Sequence, residues 1–287
     1  MKQIMHNAAS CALAALLACG CAGTAPPPNA TERQANTLNQ RAERAFGQGE
    51  YRRAAALYEQ ALRLDAAVEN TEGMAANALS LARTWQAAGD AAAAHRALDT
   101  VLAEGPLQFA QPHRAEAQAR KAQLYLDAGD TANALRWSHE ALASCAACPA
   151  LPAIQALRGR VALAAADYAS ALEWGGRALA TAGAGTGSGE ARQMHERANA
   201  LRLIGEARIG RGEHQAALAP LEQALELDRS LGLPGRICAD LMALGQLQLK
   251  LGNRSRALDY FTRAKNVSAA AGDEAGARAA ERAMDNR

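Results

Sequence analysis

The 287-residue chain has only three Phe, five Tyr and three Trp, is rich in alanine, and carries a formal charge of +2. So few aromatic residues argue against a sandwich or barrel and favour helices stacked across small side chains. Basic and acidic residues are interspersed along the chain, which leaves out the basic stripe that nucleic-acid binding requires.

The N-terminus reads as a targeting segment. Lys2 precedes an eleven-residue apolar run from Ala8 to Ala18. Such a run is too short to span a bilayer core of about 30 Å but long enough for the h-region of a signal peptide. It closes on Leu16-Leu17-Ala18-Cys19-Gly20-Cys21, which resembles a lipobox. Cys19, with Leu three places before it and Ala just before it, is the candidate for lipidation; Cys21 is the alternative, and ordinary secretory cleavage is the competing reading. Residues 1–18 are then a signal peptide, and residues 19–30, with Pro26-Pro27-Pro28, an extended tether. A residue other than Asp after the lipidated cysteine, here Gly20 or Ala22, implies by the same resemblance a bacterial outer-membrane lipoprotein facing the periplasm. Losing residues 1–18 leaves a charge of +1, so attachment rests on lipid and not on electrostatics.

From Ala30 onward apolar residues recur every three or four places, with no sustained alternation by two, so the periodicity predicts helices only. The predicted helices cover 31–47, 51–65, 71–88, 91–104, 112–128, 131–144, 152–165, 168–182, 190–211, 214–230, 235–251 and 254–271, with a thirteenth at 273–285 capping the stack. Pro106, Pro112, Pro149, Pro152 and Pro234 fall between hairpins, whereas Pro220 lies inside a helix and is expected to kink it. The run from Gly183 to Gly189 is a flexible linker that is either a slack loop or a hinge between the first four hairpins (31–182) and the last two (190–272).

A repeat underlies these helices. Gly49-Glu50, Gly89-Asp90, Gly129-Asp130, Ala166-Asp167, Gly212-Glu213 and Gly252-Asn253 are spaced by 40, 40, 37, 46 and 40 residues. Each pair reads as the turn between helices A and B of one hairpin. Five places later stand Ala54, Ala94, Ala134, Ala171, Ala217 and Ala257; seven places earlier stand Ala42, Ala82, Ala122, Gly159, Gly205 and Gly245. Only small residues let two helices cross this closely. Larger residues nine places after the turn, Tyr58, Leu98, Leu221 and Phe261, are expected to wedge between hairpins. The fourth unit departs from the pattern, with Ala166 at the turn and Gly175 at the wedge.

These columns, Gly49 with Tyr51, and the ending Ala61-Leu62-Arg63-Leu64-Asp65 resemble the tetratricopeptide repeat family over nearly all of residues 31–287. The resemblance implies an all-α, right-handed superhelical solenoid of about six hairpins plus the capping helix over 273–287. It also implies a concave groove lined by A helices. Mapped onto the family's groove positions, the polar lining is Asn36, Asn39 and Glu43 on the first A helix and Arg83 and Gln86 on the second. It continues with Glu116 and Gln123 on the third, Arg160 on the fourth, Asn199, Arg202 and Glu206 on the fifth, and Gln246 on the sixth. Phe46, Leu79, Leu126, Leu163, Ile209, Met242 and Leu249 lie among them. Such a mixture suits an extended peptide or a partner helix. The competing reading of any one of these polar residues is that it simply faces water.

Motifs for chemistry are weak. The glycine run lacks a preceding strand and a Gly-Lys-Ser or Gly-Lys-Thr sequence, so it is no phosphate cradle. His139-Glu140 and His195-Glu196 begin like a zinc-protease motif, but Ala143 and Asn199 stand where the second histidine would be, and no metal or cofactor is expected. Cys145 and Cys148 have the spacing of a redox pair, yet they follow a helix where thioredoxin-type pairs start one; a local disulfide or two packed thiols is expected. Cys238, alone on a helix, reads as a core residue. The expected function is a non-enzymatic scaffold for an envelope peptide or protein, in assembly of a complex such as a type IV pilus or secretin. The alternatives are an adaptor for cell-wall enzymes and a periplasmic thiol-redox protein using Cys145 and Cys148.

Overall fold

Hairpin after hairpin, the chain forms an open stack in which each helix packs on the next in sequence. The computed structural model describes residues 28–183 and 189–285. Among them are thirteen α-helices and no strand. They pair as α1 (Ala30–Gly47) with α2 (Tyr51–Ala67), α3 (Thr71–Ala87) with α4 (Ala91–Leu102), and α5 (Gln111–Asp127) with α6 (Thr131–Ser144). Then come α7 (Leu151–Ala164) with α8 (Tyr168–Gly183), α9 (Glu190–Gly210) with α10 (His214–Ser230), and α11 (Pro234–Lys250) with α12 (Arg254–Ala270). The last helix, α13 (Glu274–Asp285), packs against α12. The odd-numbered A helices also touch one another from α1 through α9 and so form a continuous inner layer.

Local chemistry accounts for the boundaries. Asn29 caps α1 in a reciprocal box with Glu32. The polar residue after the turn position caps the next helix with its side chain in three units, where Asp90, Asp130 and Asp167 accept from the backbone N–H three places on. Helix α4 stops at Leu102, short of the predicted residue 104, and Arg114 of α5 donates to the carbonyls of Val101 and Leu102.

The turn position itself requires the left-handed region: Gly49 has φ of 77°, and Ala166 adopts 57° in the departing fourth unit. A non-glycine residue there carries a steric cost of about 1–2 kcal/mol, only partly offset by the lower chain entropy that alanine loses on folding. Ala166→Gly is therefore expected to raise stability by up to about 1 kcal/mol, read from the urea midpoint at unchanged slope.

Packing follows the small-residue columns. Ala54, Ala94, Ala134, Ala171, Ala217 and Ala257 are all fully buried, as are Ala42, Ala82 and Ala122. The wedge residues Tyr58, Leu98, Leu221 and Phe261 are equally buried. In the fifth and sixth units the glycine on helix A makes room for the wedge on helix B: a Cβ on Gly205 would lie 2.6 Å from Leu221, and one on Gly245 2.4 Å from Phe261. The fourth unit solves the same problem differently. With no wedge of its own, it leaves space that Leu203 and Ile204 of α9 fill against Gly159 and Gly175. Units four and five thus share a packed interface; the linker residues 184–188 that prompted the hinge reading lie outside the described residues.

Helix α10 runs from His214 to Ser230 through Pro220 as one element. Proline deprives the carbonyl of Ala216 of its helical donor, and the Arg208 guanidinium of α9 donates to it at 2.6 Å.

Candidate partner-binding groove

The A helices α3, α5, α7, α9 and α11 enclose a concave groove of about 650 Å³. Leu79, Ile154, Leu157 and Leu203, with small Ala119, Ala153 and Ala156, make its apolar floor. Four arginines (120, 160, 202, 236) and three glutamates (116, 196, 206) line it as well. A groove that is apolar below and charged at the sides can bury hydrophobic side chains of an occupant while orienting it through polar contacts.

The structure brings Glu116, Gln123, Arg160, Asn199, Arg202 and Glu206 together in this groove. Of the predicted apolar residues it brings Leu79 there, and it does not bring the other predicted polar residues. Asn36 and Gln246 are exposed and stand apart. Asn39, Glu43, Arg83 and Gln86 are engaged between neighbouring helices. Asn39 donates to Asn77 Oδ1 at 2.8 Å, and Asn77 donates to Asp65 at 2.7 Å. Arg83 Nη2 donates to both Glu43 oxygens at 2.9 Å, and its guanidinium lies 4.3 Å from the centroid of the Phe46 ring. Tyr58 donates to the same glutamate; burial first, then Glu43, push its phenol up to about 12. Gln86 donates to Asp127 at 2.7 Å, and Arg160 donates to Gln123 at 2.8 Å. Many inner-face polar groups therefore hold consecutive A helices in register.

Arg202 belongs to both sets. Its Nε donates to Asp240 at 2.7 Å and its Nη2 to Asp228, and both aspartates are buried. Residues 39, 65 and 77 map to 202, 228 and 240 by one 163-residue offset, so this is the counterpart of the Asn39, Asn77, Asp65 relay with an arginine and a second aspartate in place of its two asparagines. Two carboxylates share one guanidinium. Burial raises the Asp228 pKa, Arg202 pulls against it and Asp240 adds to the rise; Asp228 Oδ1 has no hydrogen-bond partner. Glu206, in the groove lining, is also raised by desolvation, against the pull of Arg202 and Arg160.

Sequence reasoning missed Arg120, Glu196 and Arg236 as lining residues. The first had a readable signal. Nine places before each turn stand Gln40, Ser80, Arg120, Leu157, Leu203 and Ala243, and Arg120 is the one charge in that column.

Cys145 and Cys148 are joined in a disulfide between α6 and α7. Cys145 is buried at the C-terminal end of α6, where the helix dipole disfavours a thiolate. Cys238 is buried and receives a hydrogen bond from Ser268 at 3.0 Å. Among the described residues no cluster of His, Cys, Asp and Glu could hold a metal, and no helix is long and apolar enough to cross a membrane. Cys19 and Cys21 lie outside the described residues.

Comparison with known proteins agrees with this architecture. Residues 43–72 match a model of the tetratricopeptide repeat. No curated protein matches the chain by sequence. Among solved structures, the APC/C hetero-tetramer Cut9-Hcn1 superposes with a TM-score of 0.65 at 16% identity over 88% of this chain, which spans 43% of that one. BtubC from P. vanneervenii superposes with a TM-score of 0.55 at 19% identity, over 85% of this chain and 93% of its own. A Rap protein complexed with Competence and Sporulation Factor gives 0.57 at 13% identity, over 83% and 66%. At these identities the likeness establishes the fold: a tetratricopeptide-type helical solenoid.

Proposed function

We propose, with the tetratricopeptide-type scaffold as premise, that the protein is a non-enzymatic interaction module that holds a peptide or partner protein in its concave groove. It is tethered by lipid on Cys19, or alternatively Cys21, to the periplasmic face of a bacterial outer membrane. The observation that carries the groove reading is the 650 Å³ concavity on the A helices, with its apolar floor and charged walls. A protein of the same fold that was solved with Competence and Sporulation Factor fits this reading. The setting is assembly of an envelope complex such as a type IV pilus or secretin, or recruitment of cell-wall enzymes.

Ala153 is exposed on the groove floor, so Ala153→Trp fills the groove without disturbing the core. In crosslinking and co-purification from envelope membranes, Ala153→Trp is expected to lose the partners that the native chain retains. An unchanged partner set with an unchanged melting curve would sink the groove reading. For the anchor, labelled palmitate is expected to enter the native chain and to be lost in Cys19→Ser. Loss only in Cys21→Ser moves the anchor, and absence of label from the native chain removes it.

A further inference from the structure

The first hairpin is polarised although the chain as a whole is nearly neutral. Arg41 and Arg44 of α1 and Arg53 of α2, with Gln48 beside them, line a recess of about 300 Å³, and all four are exposed. The acidic residues of the hairpin are engaged elsewhere. Glu32 is spent on the cap with Asn29, Glu43 on Arg83, and Asp65 on Asn70 and Asn77. Glu59 stands ten places after its turn, the register from which Asp99 reaches forward to Lys121 of α5. Glu50 is held by Arg53 at 2.7 Å. On a helix of 3.6 residues per turn, Arg33, Arg41 and Arg44 fall within about 80° of one another, while Glu32 and Glu43 fall on the other flank of α1.

A counterpart inside the stack shows what this face holds when it is covered. Lys121 stands in the column of Arg41, eight places before the turn, and takes a carboxylate from the preceding hairpin, Asp99. Among the described residues no helix precedes α1. Arg41 makes no hydrogen bond or ion pair among them, and Arg44 donates only to the Gln40 carbonyl of its own helix, at 3.3 Å. The register that binds an anionic oxygen between hairpins is thus left open at the first end of the stack, with three guanidiniums in place of one ammonium.

We infer that this face docks on the anionic phosphates of lipid headgroups, Arg41, Arg44 and Arg53 holding the first hairpin against the membrane that carries the anchor. This rests on the anchor reading above and adds a protein surface to it. Ten residue steps separate Cys19 from Asn29, at most about 35 Å of chain, so lipid on Cys19 keeps α1 close to the bilayer. An array of phosphates meets several guanidiniums at once, and each arginine near an anionic surface contributes about fivefold in partitioning.

The test is flotation of the full chain, carrying Cys19→Ser and Cys21→Ser so that no acyl chain contributes, on phosphatidylcholine vesicles with and without phosphatidylglycerol. A preference for phosphatidylglycerol that fades as salt is added is expected. Residues 1–18 are common to every variant, so the arginine-dependent part is the readout. Arg41→Gln, Arg44→Gln and Arg53→Gln together are expected to lower partitioning about a hundredfold with the melting curve unchanged. Arg229→Gln, Arg256→Gln and Arg278→Gln together, an equal loss of charge at exposed sites near the other end of the stack, are expected to leave it unchanged. No phosphatidylglycerol preference, a preference that the first triple variant keeps, or an equal loss in the second would each overturn the inference. If the vesicles show no such preference but a labelled decaglutamate peptide binds and the first variant loses it, the face takes an acidic protein segment and the inference fails. Palmitate labelling separates this from the anchor reading: label in the native chain without any vesicle preference removes the docking alone, and a native chain without label removes the anchor and the docking with it.

Discussion

Replacing Arg202 with methionine is expected to destabilise the fold by about 3–5 kcal/mol at neutral pH, read as a lower urea midpoint and melting temperature. The substitution leaves Asp228 and Asp240 facing each other, both buried, with their shared guanidinium gone. Two uncompensated carboxylates in a low-dielectric interior are far worse than the loss of one surface ion pair. The pH dependence follows from the raised Asp228 pKa. A carboxylate whose folded pKa lies above its unfolded value contributes stability that is fully present below the unfolded pKa and is lost as pH rises through the folded one. Removing Arg202 takes away the group that pulls this pKa down, so the deficit of the variant should shrink as pH falls from about 7 toward the usual carboxylate range near 4. A deficit that does not vary with pH would show that Arg202 acts by packing alone. The relay of two asparagines and one aspartate elsewhere in the chain suggests the rescue. Arg202→Asn with Asp240→Asn recreates the Asn39, Asn77, Asp65 arrangement and should recover part of the loss. Recovery is partial because Leu233 stands where Asn70 gives Asp65 a second donor at 2.9 Å.

The second large effect concerns a single methyl group. Gly245→Ala is expected to cost about 1–3 kcal/mol, because the new Cβ would lie 2.4 Å from Phe261 Cε1 and that ring is buried. The gain in helix propensity from alanine, about 1 kcal/mol, offsets some of this and does not reverse it. Gly176 is the control: it is helical and exposed, with nothing within 4 Å of a built Cβ, so Gly176→Ala should stabilise by about 0.5–1 kcal/mol. Phe261→Leu in the Gly245→Ala background should restore part of the loss by shortening the wedge. The same sign for both glycine variants would refute the account of why the A-helix column turns from alanine to glycine in the later units.

These two sites mark the border between what can be read from the chain and what cannot. The hairpins were legible because their causes are local and repeated: an apolar period, a turn residue with positive φ, an N-cap beside it. Helix ends agree with the predicted ones to within a residue or two; of the two that depart by two residues, α2 runs on to Ala67, and α4 stops early at Leu102, where Arg114 of the next helix meets its last carbonyls. The groove was legible only as a face. The residues on it could be enumerated, but nothing in their spacing says that Glu43 and Arg83 pair with each other, or that Gln123 is held by Arg160.

By itself the sequence determined a solenoid of six helical hairpins and a capping helix, because turn chemistry and column size repeat at fixed intervals and each unit buries its apolar face only by stacking. It also carried the lipobox-like ending at Cys19, on which the membrane proposal rests. Only the tertiary structure decided which inner-face polar groups are spent on holding A helices together and which stay open to a partner. Pairing across about forty residues depends on side-chain reach and on what the neighbouring helix presents. That is why Arg202, prominent in sequence, became part of a buried ion network, and why Arg120, the one charge in its column, became the groove arginine without a hydrogen bond or ion pair among the described residues.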